Sequence, residues 1–120
     1  MKRDHDILIV GGGMVGLCVA ALLSRNDRFK VTVVDAGPRP VFDPDNVSLR
    51  VSSIAPGSIA VLESIGAWQE IVATRACPFR DMKVWDADGS VDGPETLSFE
   101  SAEFAVPQLG YIVENTLIQQ

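Results

Sequence analysis

Three consecutive hydrophobic patterns fill the first third of the chain. Residues 6–10 (Asp-Ile-Leu-Ile-Val) are an apolar run of strand length, and residues 14–25 are apolar almost all round, as in a helix buried on most sides. Residues 30–35 (Lys-Val-Thr-Val-Val-Asp) are a β-branched run of the kind found in a central parallel strand. Strand, helix and strand follow within about thirty residues, the span of one β-α-β unit. Gly37-Pro38-Arg39-Pro40 and the polar positions Asp43, Pro44, Asp45 and Asn46 then predict a long loop over residues 36–49. Such loops in compact domains are often functional. A helix begins near Pro56, with Ile59, Leu62 and Ile65 on one face and Gly66 placed to end it as a left-handed cap. Trp68, Ile71 and Val72 predict a short second helix over residues 68–74. Beyond Cys77 the period changes: residues 82–85 alternate, 86–89 form a turn and 96–99 are extended, which predicts antiparallel strands. Residues 110–113 read as a strand end, with Glu114 or Asn115 opening a final helix.

The junction of the first strand and helix carries the candidate chemistry. It reads Gly11-x-Gly13-x-x-Gly16, and the acidic Asp35 closes the next strand nineteen residues beyond Gly16. Gly11 permits the tight turn, Gly13 leaves the backbone bare for a pyrophosphate, and Gly16 allows close packing of helix on strand. An anion is then favoured at the helix N-terminus by unpaired N–H groups and the helix dipole, while a carboxylate at position 35 can accept hydrogen bonds from ribose hydroxyls. Two plainer readings are weaker. The uncharged run from Ile7 to Leu23 follows Met1-Lys2-Arg3, but Asp4, His5 and Asp6 spoil a signal-peptide n-region and the glycines interrupt a membrane span. A glycine-rich turn with no ligand leaves three neighbouring glycines without a purpose.

Composition narrows the function classes. A net charge of −6 with ten scattered Lys and Arg residues gives no footprint for nucleic acid, and 47% hydrophobic content suits one modest core. Cys18 reads as a small buried thiol in the first helix and Cys77 stands alone before Pro78, so neither a disulfide nor a metal site is expected, and both suit a reducing cytosol. His5, in a charged stub, reads as a solvated residue. No metal-ligand cluster, nucleophile or triad is visible, and the catalytic residues stay unassigned. Trp68, Trp85 and Tyr111 read as core and strand packing.

Further motifs, Arg50-Val51-Ser52-Ser53-Ile54-Ala55-Pro56-Gly57-Ser58, Gly66-Ala67-Trp68, Met82-Lys83-Val84-Trp85-Asp86 and Gly110-Tyr111-Ile112-Val113-Glu114-Asn115, occur in that order. With them, the chain resembles the N-terminal part of the ubiquinone-biosynthesis flavin hydroxylases, which are aromatic-ring monooxygenases that hold FAD. The resemblance implies an α/β fold: an incomplete Rossmann-like FAD-binding β-α-β domain interrupted by antiparallel strands of a substrate domain. Residues 1–76 and 110–120 would belong to the FAD-binding domain and residues 77–109 to the substrate domain. It implies that Gly11, Gly12, Gly13 and Gly16, with the backbone of Met14 and Val15, cradle the pyrophosphate. Asp35, where many relatives carry the longer Glu, and its neighbour Ala36 would lie at the adenosine ribose. Arg50 would approach the cofactor from the opposite side, the plainer reading being an ion pair with Asp43 or Asp45.

The implied reaction is ring hydroxylation of a polyprenylated phenol or benzoquinol with O₂, using NAD(P)H as co-substrate. The implied setting is cytoplasmic, with so oily a substrate bringing the enzyme to the inner membrane surface or into a complex with other pathway enzymes. The family's later Gly-Asp motif and the rest of its substrate pocket are absent, so the chain reads as a fragment. Two other classes stay open: another FAD- or NAD-dependent oxidoreductase, and a non-enzymatic nucleotide-binding module.

Overall fold

The first unit forms where the pattern places it. In the computed structural model, which describes residues 6–120, β1 (Ile7–Val10) and β2 (Val31–Val34) pair in parallel around α1 (Met14–Ser24). Ile7 lies opposite Val31 and Val10 opposite Val34. The stub containing His5 lies outside the described residues. Gly11 has φ +108°, a conformation L side chains rarely adopt, and its N–H donates to Val34 O at 2.7 Å, so the turn out of β1 stays fastened to the end of β2.

The expected burial of this unit is not met. No residue of α1 is fully buried, Val10 is 84% exposed and Val15 76%. A parallel strand pair is normally covered on both faces, and here one helix covers part of one face.

The second half departs further from the pattern. β3 (Val51–Ile54) follows the long loop, and α2 (Pro56–Ser64) and α3 (Trp68–Thr74) follow it. Pro56 starts α2 and Gly66, at φ +81°, ends it. The N–H of Gly66 reaches Glu63 O and that of Ala67 reaches Leu62 O, the two bonds of a left-handed helix stop. The central strand β7 (Gly110–Glu114) runs antiparallel to both β3 and β4 (Cys77–Phe79). Pro78 is tolerated because β4 is an edge strand. β5 (Asp81–Val84) and β6 (Leu97–Glu100) make a separate antiparallel pair, followed by a 3-10 turn, Ser101–Phe104. The short helix α4 (Asn115–Ile118) closes the described chain.

The core lies between the β3-β7-β4 sheet and the helices α2, α3 and α4. Its buried apolar residues are Ile54, Leu62, Trp68, Ile71, Val113 and Leu117. Tyr111 meets Trp68 edge-on, ring centroids 5.1 Å apart, as packing aromatics do. Trp85 is about half exposed instead, beyond the end of β5, and adds nothing to this core. The β5-β6 pair contributes no core residue. That distribution stretches the molecule to 65 × 30 × 30 Å. No helix among the described residues is long and apolar enough to cross a membrane.

Candidate nucleotide-binding site

The glycine turn delivers bare backbone to the N-terminus of α1. Gly13 caps the helix with extended backbone and no side-chain cap, and the first intrahelical bond runs from Leu17 N–H to Gly13 O. The N–H groups of Met14, Val15 and Gly16 therefore precede the helical ladder. No acid stands in this first turn to compete for them. A Cβ built on Gly13 meets nothing within 4 Å, whereas one on Gly16 would lie 2.0 Å from Gly11 O. Gly13 is thus open to a ligand, and Gly16 is closed by the strand turn.

Asp35 follows β2 and folds back on the glycine turn. Its Oδ2 accepts from Gly12 N–H at 2.6 Å and its Oδ1 from Gly37 N–H at 2.8 Å. These two amides, Gly12 first, hold the carboxyl below the usual carboxylate range, so it is ionised at neutral pH. Each carboxylate oxygen keeps a further lone pair for an incoming hydroxyl. The structure thus brings Gly12 and Asp35 together directly. A cavity of about 590 Å³ opens beside them, with Leu17, Val33, Leu62 and Ile118 among its apolar walls and Arg39 at its polar edge.

Arg50 stands immediately before β3, its C=O accepting from Asn115 N–H at 3.1 Å. It is exposed and forms no ion pair with Asp43 or Asp45 among the described residues. Asp43 is occupied by Asn46 Nδ2 and the Asp45 N–H, which hold its carboxyl low. Arg50 and Ala36 line neither the cavity beside Asp35 nor a second one of about 460 Å³, where Met14 and Val15 face Ser52 and Ser53 of β3.

Three contacts that the sequence reading did not foresee also organise the site. Gln119 Nε2 donates to Gly12 O at 3.2 Å, bracing the glycine turn from α4. The Arg39 guanidinium donates to Gln120 O and ties the long loop to the same end of the chain. Arg75 and the buried Glu114 form an ion pair at 2.6 Å. Both cysteines are free, and burial raises the Cys18 thiol. Among the described residues no group of His, Cys, Asp and Glu could hold a metal ion.

A glycine turn, an open helix N-terminus and a carboxylate closing the second strand have the form of a Rossmann-like β-α-β unit. Residues 9–52 match the NAD(P)-binding Rossmann-like domain. The chain is 43% identical over 119 residues to the ubiquinone biosynthesis monooxygenase COQ6 of Xenopus tropicalis, covering 95% of this chain and 24% of that protein. It is 37% identical over 120 residues to the 3-demethoxyubiquinol 3-hydroxylase of Escherichia coli, covering 99% of this chain and 29% of that one. Among solved structures, an aklavinone-11 hydroxylase in complex with FAD and aklavinone shares the fold, with TM-score 0.61 and 24% identity over 99% of this chain and 23% of its own. Over nearly its whole length the chain is thus similar to part of two ubiquinone-pathway proteins named as a monooxygenase and a hydroxylase. It spans about a quarter of the length of the curated relatives it matches.

Proposed function

We propose that this chain is the nucleotide-binding part of an FAD-dependent monooxygenase. The whole protein would hydroxylate the aromatic ring of a polyprenylated phenol or benzoquinol intermediate of ubiquinone biosynthesis, with NAD(P)H and O₂. The observation that carries the cofactor assignment is the open N-terminus of α1 standing beside the ionised, backbone-fixed Asp35. The residues fit the group: Gly13 leaves room for a pyrophosphate, and the apolar cavity next to Asp35 suits an adenosine. Bound FAD supplies the activation of O₂, chemistry the side chains of this chain do not offer.

In this reading the N–H groups of Met14, Val15 and Gly16 bind the pyrophosphate and Asp35 accepts from the ribose. Gly11 and Gly12 shape the turn, Ala36 flanks the ribose side, and Arg50 offers a planar cation from just before β3. Residues 1–76 and 110–120 form the FAD-binding part and 77–109 enter the substrate part, although Cys77–Phe79 still hydrogen-bonds to β7. The lipophilic substrate favours a cytoplasmic protein working at the inner membrane surface, in contact with other enzymes of the pathway.

The match to an NAD(P)-binding domain favours one second reading, a nicotinamide-dependent oxidoreductase. Titration of the full-length apoprotein separates the two. FAD is expected to bind, Gly13→Val to abolish binding by displacing the pyrophosphate, and Asp35→Ala to weaken it through loss of a hydrogen bond to a charged group. Equal FAD retention by Gly13→Val and the parent, or binding of NAD(P) alone, would overturn the assignment.

A further inference from the structure

The loop between Asp35 and Arg50 has no helix or strand, yet its middle is held at many points by one side chain. Arg75, at the end of α3, donates through Nε to Glu114 Oε2 at 2.6 Å, through Nη1 to Pro44 O at 3.1 Å, and through Nη2 to Asp43 O at 3.0 Å and Asn46 O at 3.2 Å. Its guanidinium also lies over the Phe42 ring, 4.9 Å from the centroid. The other oxygen of Glu114 accepts from Ser48 N–H at 2.6 Å, and Ser48 Oγ accepts from Arg50 N–H at 3.3 Å. A continuous set of contacts therefore runs from Arg75 through Glu114 and Ser48 to the backbone of Arg50.

We infer that Arg75, oriented by Glu114, is a positioning residue for the cofactor site: it fixes residues 42–48 in one conformation and so sets where β3 begins and where Arg50 stands. The inference rests on the cofactor reading above. The donor geometry makes it specific. Only a planar guanidinium presents donors in one fork to a carboxylate and to three carbonyls while its face covers a ring. Lysine at position 75 keeps the charge facing Glu114, but its three tetrahedral donors cannot span the same acceptors. A merely structural ion pair needs the charge, whereas the loop needs the fork.

The test uses the full-length protein with Arg75→Lys and Arg75→Ala, comparing melting of the apoprotein, the dissociation constant for FAD, and visible circular dichroism of FAD at saturation. Arg75→Lys should melt close to the parent yet bind FAD roughly tenfold more weakly, the equivalent of one charge-assisted hydrogen bond, with an altered flavin dichroism. Arg75→Ala should lose affinity further, and protease cleavage within residues 42–48 should accelerate in both variants. Parent-like FAD affinity and dichroism in Arg75→Lys, whatever its melting temperature, would overturn the inference and leave Arg75 a structural ion pair. A parent protein that binds no FAD would instead sink the cofactor reading, and the inference with it.

Discussion

Gly16→Ala in the full-length protein is expected to cost both the fold of the glycine turn and the retention of the dinucleotide. The added methyl would sit 2.0 Å from Gly11 O and 3.2 Å from Gly11 C, both backbone atoms that no rotamer change can move aside. Relief requires α1 to back away from the end of β1. Gly11 cannot simply follow, because its N–H is bonded to Val34 and its φ is already one that only glycine adopts readily. Overpacking of this kind costs up to about 3 kcal/mol, or about a hundredfold in affinity if the strain falls on the cofactor cradle. Gly13→Ala provides the control, since its methyl meets nothing within 4 Å and should disturb apoprotein melting far less, by no more than a weakened helix cap. Parent-like melting and cofactor content in Gly16→Ala would show that the turn is looser than this packing implies.

The second large effect belongs to Glu114. Its carboxylate is 4% exposed and receives a donor on each oxygen, Arg75 Nε–H on one and Ser48 N–H on the other. In Glu114→Gln the amide nitrogen must face one of those donors in either orientation, so one contact becomes donor against donor and the guanidinium loses its counter-charge. Breaking such a pair should cost about 3 kcal/mol at pH 7, the low end for buried pairs because Arg75 is 32% exposed. The pH dependence has a definite sign. Arg75 foremost, then the Ser48 amide, holds the Glu114 carboxyl below its ordinary value. A depressed folded-state pKa contributes stability above the unfolded value, about 4.3, that is lost as pH falls through the lower folded-state value. Unfolding of parent and Glu114→Gln should therefore differ most at neutral pH and converge in acid below about pH 4. A difference that stays constant with pH would mean that the carboxylate charge contributes nothing.

The residues that could be read in advance were those whose partners are close in sequence. The β-α-β unit, Pro56 opening α2 and Gly66 ending it all depend on local pattern or on a backbone angle that names its own residue type. β3 was not visible, because Val51-Ser52-Ser53-Ile54 has only two apolar positions and its extended form comes from pairing with β7, with Ser52 Oγ donating to Asn115 Oδ1 at 2.6 Å. The role of Arg75 was equally hidden. Three of its acceptors are backbone carbonyls, which leave no trace in residue identity, and the fourth lies on β7. The ion pair considered for Arg50 goes unmade because Asp43 satisfies itself within its own turn and Arg75 holds that loop instead. In the same way, nothing in the composition of α1 foretold how much of its apolar surface this chain leaves uncovered.

The central claim is that the α1 N-terminus and Asp35 hold FAD. The most direct measurement is the identity and stoichiometry of the nucleotide released by heat from the purified full-length protein, separated by chromatography and identified by its mass and absorbance. About one FAD per chain is the predicted result. A protein that releases no flavin and takes up none when FAD is added, or one that carries a nicotinamide dinucleotide in its place, would contradict it.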